Sequence, residues 1–563
     1  MKFGRNQSPL SQATLTVAAI AMIGSIAVSV TPKAAAAEPG AITPAMTCEA
    51  LGKSDLTALD SRIRSTTTTT RNGHAFCDVI GYISPATQFE ALLPQDNWRG
   101  DYLQQGCGGL CGQTNVSLDD PSRTSGYQAP YAPLANGEMV VAADDQGHEA
   151  PNNGDALWAK YDLRLRAVFG YSSEHQLAQT AKALIRIFYG RKPAYSYFSG
   201  VSAGGHEALV LAQRYPEDFD GILAGAPANN WAPLTLFELW LAASNRDPQG
   251  RQILTAEKLP ALHAAVMAAC ADDHGVISDP RACAFDPASM RCANGDDKPD
   301  CLTDDQIRVV RDEYRGPSDR EAHGLFDGGE PYGSELAWSG WLVMPAADSS
   351  APTDTYAAQI GLGYFNYMGF LHNPRGGFSP DSVPFTSAMH QQLAQLGGIY
   401  NATDPDLNAF QAHGGKIIIY HSWADQAIPP FATIDYYRAV VRQAGWPVAQ
   451  SFSRLYMIPG LYHCPCGQPV DGDPATTVQF MPQLVGWVEH GEAPGALTLP
   501  VTAQTTGSHL TSLNVEPFDP RRPVPNNSGF NSNYHYIGET SDYKPGNELW
   551  CAEDSQPLTC TTR

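Results

Sequence analysis

The sequence predicts an α/β fold: a doubly wound, mostly parallel sheet covered by helices on both faces and interrupted by a large inserted lid. Three observations predict it. A strand, a glycine-flanked serine and a helix follow one another at residues 194–214. Short apolar runs alternate with helix-forming stretches before residue 228 and again after 406, and that alternation with short loops is the pattern of a parallel sheet. Between 229 and 405 the alternation lapses into chain rich in Asp, Pro and Gly, with four cysteines and many aromatic residues.

The N-terminal segment 1–37 has the form of a signal peptide. Lys2 and Arg5 make a basic start, Leu15 to Val30 is mostly apolar, and Ala35-Ala36-Ala37 precedes Glu38 as a cleavage site. The alternative is a membrane anchor, but the apolar run is broken by Thr and Ser and is short for a span. The expectation is therefore a secreted or periplasmic protein with no membrane contact after cleavage. A formal charge of −22 argues against a nucleic-acid partner, which needs a basic footprint. In an oxidising compartment the twelve cysteines read as a disulfide framework, with Cys48 and Cys77, Cys270 and Cys283, Cys292 and Cys301, and Cys551 and Cys560 close in sequence. A zinc site is the rival reading, but Cys107-x-x-x-Cys111 and Cys464-Pro-Cys466 have no partner C-x-x-C elsewhere.

In chain order, the threonine run Thr66 to Thr70 reads as a hairpin tip or an exposed strand, and Phe76 to Ile83 as a strand. Tyr102-Leu-Gln-Gln-Gly-Cys-Gly-Gly-Leu-Cys-Gly112 is a strand ending in a glycine cluster, where bare backbone N–H groups can be brought to one point. Gly137 to Ala143 is a buried strand. Ser173 is expected to cap a helix with Leu177, Ala181, Leu184 and Phe188 at 3.6-residue spacing, ended by Gly190. Ala194 to Phe198 is the next strand. Gly200-Val-Ser-Ala-Gly-Gly205 follows, then a helix from Glu207 to Arg214 and the strand Asp220 to Ala226. The region 229–405 is the lid, stapled by disulfides; its aromatics, among them Trp231, Phe237, Trp240, Tyr332, Trp338, Trp341, Tyr364, Phe365 and Tyr367, are expected to supply one wall of the site. The sheet resumes with Lys416 to Tyr420, a helix from Ala432 to Gln443, and Phe452 to Ile458. The domains are thus 38–228, the first part of the core; 229–405, the lid; and 406–563, the second part with a C-terminal extension.

A serine held between strand and helix with only small neighbours is a nucleophile elbow: the strained turn pushes Oγ out of the sheet. Asp425 and His463 each fall just past the end of a late strand, the edge at which open α/β sheets place their sites. The chain order Ser202, Asp425, His463 is the one elbow enzymes use for nucleophile, acid and base. His148, His175, His206 and His421 compete for the base. The amides of Ala203 and of Gly108 or Gly109 are the candidate oxyanion donors. These parts describe acyl transfer through a serine and require no cofactor; a serine peptidase, or a secreted binding protein that lost turnover, are the rival readings. Nothing in the sequence sets an oligomeric state.

The chain resembles the tannase and feruloyl esterase family, which also includes an enzyme acting on mono(2-hydroxyethyl) terephthalate. The resemblance is carried by Phe188-Tyr-Gly190, Gly200 to Gly205, Ala212-Gln-Arg-Tyr-Pro-Glu-Asp-Phe-Asp-Gly-Ile222, Ala224-Gly-Ala-Pro-Ala228 and Tyr332-Gly-Ser-Glu335. It continues through Ala402 to Leu407, His421-Ser-Trp-Ala-Asp425, Ile458-Pro-Gly-Leu-Tyr-His-Cys464 and Trp487-Val-Glu489. It implies an α/β-hydrolase core with a lid, hydrolysis of small esters of aromatic acids (feruloyl, galloyl or terephthaloyl), and the roles above for Ser202, Asp425 and His463. Two departures stand out. The family usually places cysteine before the nucleophile, bonded to the cysteine after the histidine; here Cys464 is present but the other position is Val201. The family's lid calcium loop is shortened to Cys270-Ala-Asp-Asp-His-Gly-Val-Ile-Ser-Asp279, but Asp272, Asp273 and Asp279 are oxygen ligands of the right hardness and remain the candidate ligands of a structural calcium, with carbonyls and waters needed to complete six or more positions. Without the usual clamp, either a disulfide joins the loop of Cys107 and Cys111 to that of Cys464 and Cys466, or Cys107 pairs locally with Cys111.

Overall fold

The computed structural model describes residues 40–123, 128–344, 355–463, 478–500, 512–522, 549–551 and 560–562. The expected signal peptide, Cys464 and Cys466 lie outside them. The unit beginning at Ala41 is built on one nine-stranded sheet.

Its strands are β1 (Ser61–Arg71), β2 (His74–Ile83), β3 (Thr87–Pro94), β4 (Asp101–Gln105), β5 (Met139–Asp144), β6 (Tyr195–Val201), β7 (Gly221–Gly225), β8 (Lys416–Ser422) and β9 (Ser453–Ile458). They lie in the order β1-β2-β3-β5-β4-β6-β7-β8-β9. The first four in that order pair antiparallel, and every pairing from β5 to β9 is parallel. The threonine run lies in a largely exposed strand, β1, in which only Ser61 is buried. Asn72 and Gly73, both at positive φ, turn it into β2, as a two-residue hairpin turn requires.

Helices α1 (Ser173–Tyr189) and α2 (Ala203–Arg214) follow on one face. Leu177, Ala181, Leu184 and Phe188 of α1 are buried there with Leu209 of α2 and Ile222 of β7. Gly190 ends α1 in the left-handed conformation, as predicted. Ser173 does not cap it. A π turn over 168–172 carries the chain into the helix, and the Ser173 Oγ instead donates to Asp144 Oδ2 at 2.6 Å.

The chain leaves the sheet after β7 and returns at β8. The described residues of that insertion form helices, α3 (Trp231–Ser244), α4 (Leu259–Cys270), α5 (Asp304–Arg315) and α6 (Tyr356–Gly363) among them, and add no strand to the sheet. Cys270–Cys283 and Cys292–Cys301 staple it, as proximity suggested. Its core is continuous with the sheet edge: Trp231, Phe237, Trp338, Trp341 and Phe365 share one buried cluster with Ala203, Ala427 and Ile428. After β8, α7 (Phe431–Ala444) returns to the first face, while α8 (Met481–His490) covers the other with Met481, Leu484 and Trp487. Cys48 is bonded to Cys77, and the backbone register sets Cys551 opposite Cys560.

Candidate active site

The parallel strands β4, β5, β6, β7, β8 and β9 deliver their carboxyl ends to one edge. Ser202 follows β6 directly and has φ 67, a conformation costly for any residue with a Cβ. The surroundings enforce it. The Ser202 N–H donates to the Gly225 carbonyl at 2.9 Å, and its own carbonyl accepts from His206 and Ala228 at 3.1 Å each. A Cβ on Gly200 would stand 2.4 Å from the Gly204 carbonyl oxygen, and one on Gly205 2.3 Å from that of Gly225. The G-x-S-x-G-G pattern is thus imposed by backbone meeting backbone.

Asp425 lies just past β8, fully buried. Its Oδ1 accepts the N–H groups of Ala427 at 2.9 Å and Ile428 at 2.8 Å. Its Oδ2 is 2.7 Å from His463 Nδ1, just past β9. Gln426 holds the His463 backbone N–H at 3.0 Å. Burial alone would raise the Asp425 pKa, but the charge of His463 and hydrogen bonds from His421 and His463 outweigh it and hold the carboxyl well below its usual range.

The rival histidines are otherwise employed. His421 has both ring nitrogens engaged, Nδ1 with Thr433 Oγ1 at 2.9 Å and Nε2 with the Ile428 carbonyl at 2.8 Å, and Nε2 also lies 3.2 Å from Asp425 Oδ2. His148 stacks on Trp158 with ring centres 3.8 Å apart, and burial lowers its pKa to about 4. Burial, then Arg214, brings His206 down to about 3. His175 faces Asp218 at 2.6 Å.

The glycine loop after β4 lies against the elbow. The Gly204 N–H donates to the Cys107 carbonyl at 2.6 Å. Gly108 opens onto free space on its Cβ side, whereas Gly109 packs on Asn153 and the Tyr356 hydroxyl. The N–H groups of Ala203 and Gly108 make no hydrogen bond among the described residues. Cys107 is bonded to Cys111, so the loop is closed on itself and the alternative disulfide from it to the histidine loop does not form. From the lid, Trp341 lies with its ring 6.0 Å from that of His463 and 4.8 Å from that of Tyr356.

Two of the three candidate calcium ligands have partners within the chain. Asp279 is paired with Arg281 at 2.9 and 2.7 Å, and Asp272 accepts from the His274 N–H and from Ser278 Oγ at 2.9 and 2.6 Å within its own turn. A calcium ion would have to displace a guanidinium already matched to its carboxylate. Sequence reasoning did not single out Gln426, nor Glu207 beneath the glycine loop. A carboxyl five residues after the nucleophile was the only signal for Glu207.

A strand–serine–helix elbow after β6, a carboxylate–histidine pair past β8 and β9, and a helical insertion define an α/β-hydrolase. The family model for tannase and feruloyl esterase matches residues 70–530. The chain belongs to that family. An uncharacterized esterase of Xanthomonas campestris is 31% identical over 460 residues, spanning 75% of this chain and 76% of the relative. A mono(2-hydroxyethyl) terephthalate hydrolase of Piscinibacter sakaiensis is 29% identical over 495 residues, spanning 75% and 77%. The crystal structure of feruloyl esterase B from Aspergillus oryzae superposes with a TM-score of 0.68 at 22% identity, covering 84% of this chain and 96% of that one, a likeness of fold.

Proposed function

We propose that this protein hydrolyses carboxylic esters of aromatic acids, of the feruloyl, galloyl or terephthaloyl type, through a serine acyl-enzyme. The ester-hydrolase class follows from the family. The observation that carries the mechanism is the 2.7 Å contact between Asp425 Oδ2 and His463 Nδ1, past β8 and β9, at the edge where Ser202 stands on its strained turn. His463 Nε2 takes the proton as Ser202 Oγ bonds to the ester carbonyl carbon. Asp425 keeps Nδ1 protonated and stabilises the imidazolium. The negative oxygen is met by the N–H groups of Ala203 and Gly108, each worth about 3 kcal/mol of barrier. The C–O bond then breaks, and the alcohol leaves with the proton from His463. Water attacks the acyl-enzyme by the same steps and frees the acid and Ser202. The chemistry uses no cofactor. Trp341, beside His463, is a flat apolar surface for an aromatic acyl group.

Ser202→Ala should abolish turnover on a panel of methyl ferulate, methyl gallate, mono(2-hydroxyethyl) terephthalate and a matching aromatic anilide. It should leave the thermal midpoint within a few degrees, because Ser202 is only half-buried. Retained turnover would refute the nucleophile, and preference for the anilide would favour a peptidase.

A further inference from the structure

Beneath the glycine loop lies a chain of buried acids that the proposed chemistry does not use. Glu207, on α2, is 3% exposed. Its Oε2 accepts the Cys107 N–H at 3.2 Å, and the next residue is Gly108. The carbonyl of the same cysteine accepts from Gly204, also on α2. Cys107 is therefore held at both its N–H and its C=O by the helix that begins at the nucleophile. On its other side Gly106 lies so close that a Cβ would sit 2.6 Å from Glu207 Oε2 and 2.9 Å from the Gly204 Cα. Arg123 Nε braces the Gly106 carbonyl at 3.2 Å, and the Cys107–Cys111 bond closes the loop.

The acidic neighbours of Glu207 are Glu174 of α1 and Asp144 of β5, both buried. Gln104 Nε2 donates to Glu174, the Tyr102 hydroxyl to Gln104 at 2.6 Å, and Ser173 to Asp144. The ionisable groups facing Glu207 are thus Glu174, Asp144 and the Arg123 guanidinium, with Tyr102 and Asp145 beyond them.

We infer that Glu207 is a positioning residue for the reaction: by holding the Cys107 N–H from the nucleophile's own helix, it sets the aim of the Gly108 N–H at the developing oxyanion. The inference rests on the roles proposed above for Ser202 and Gly108. It joins the two oxyanion donors, which come from different strands, to one rigid element, so that neither drifts relative to the other. Preorganised donors of this kind lose most of their value when misaimed. Burial, and then the charge of Asp144, push the Glu207 pKa up to about 8, so the neutral acid is the form that holds the loop near neutral pH. A glutamine presents the same neutral acceptor.

The test compares Glu207→Gln, Glu207→Leu and Glu207→Asp on methyl ferulate or whichever panel ester the wild type turns over. Ser202 reactivity is followed with a fluorophosphonate and folding by thermal melting. Glu207→Asp keeps a carboxyl at this place on α2 but draws it back from Cys107 by one methylene. Gln is expected to keep kcat within about threefold. Leu should lower kcat on the order of 100-fold, the effect of losing one oxyanion donor, and Asp at least about tenfold, with KM nearly unchanged in folded protein. Should the Leu variant not fold, the Asp and Gln pair decides. An unlabelled Ser202 in the wild type would overturn both readings. A labelled Ser202 with kcat unchanged in the Asp variant, or a Gln variant as impaired as Asp, would overturn this one alone.

Discussion

Asp425 carries more than one duty. A buried carboxylate is costly unless every lone pair is met. Here Oδ1 takes two backbone N–H groups and Oδ2 takes His463, with His421 3.2 Å away. These partners keep it ionised through the working pH range, which is what orienting an imidazole demands. Asp425→Asn replaces that acceptor with an amide that can present N–H₂ to Nδ1 and so select the wrong tautomer. The expected outcome is a fall in kcat of about 10⁴-fold with the protein still folded, measured by steady-state kinetics beside a melting curve. Activity within tenfold of wild type would remove Asp425 from the mechanism. His421, whose ring is tied to Thr433 and Ile428, buttresses the acid from within the strand's end.

Among the elements, the elbow is the most constrained. The positive φ of Ser202 lets β6 end and α2 begin with this one residue between them, and the two then pack so closely that Gly200 and Gly204 touch through backbone atoms. A methyl at Gly200 meets carbonyl and α-carbon atoms that cannot rotate away. Gly200→Ala is therefore expected to cost on the order of 3 kcal/mol or more, and differential scanning calorimetry should show a midpoint lowered by at least about 2 °C. Gly108→Ala is the stability control, since nothing lies within 4 Å of the Cβ it would add. Equal midpoints for the two variants would mean that the elbow yields more easily than its contacts indicate.

Across the whole molecule, acid groups outnumber basic ones, and several acids lie in surroundings that raise their pKa. Burial first, then neighbouring acids, raise Asp101 and Asp145 to about 7 and Glu207 to about 8. In each case the folded state binds its proton more tightly than the unfolded chain, whose carboxyls titrate near pH 4. Their contribution to stability is complete below that value and is lost as pH rises through 7 to 8. The formal charge of −22 acts in the same direction through self-repulsion. The thermal midpoint should therefore be higher at pH 5.5 than at pH 8.5, by several degrees in a fluorimetric melt at constant ionic strength. A midpoint that climbs over this interval would contradict the raised pKa of these groups.

The elbow, the late strands and the order of Ser202, Asp425 and His463 were legible in the sequence because each rests on local chemistry. A tight turn needs small residues beside the serine, and buried parallel strands need unbroken apolar runs such as Ile417 to Ile419. The insertion showed itself as a lapse of that pattern, but not its helices: α3 is apolar all round and nearly all buried, so no polar face marks its period. The partners of individual groups belonged to the tertiary structure. Ser173 reads as a helix cap and instead serves Asp144. Cys107 had Cys111, Cys464 and Cys466 open to it in sequence, and in the structure it is bonded to Cys111. Glu207 is an ordinary helical glutamate in sequence, and it becomes the support of the glycine loop because folding sets it against Cys107, Glu174 and Asp144 with water excluded. Backbone conformation and periodicity depend on near neighbours and are written along the chain. The protonation and hydrogen bonding of a buried acid depend on groups distant in sequence, and only the packed core brings them within reach.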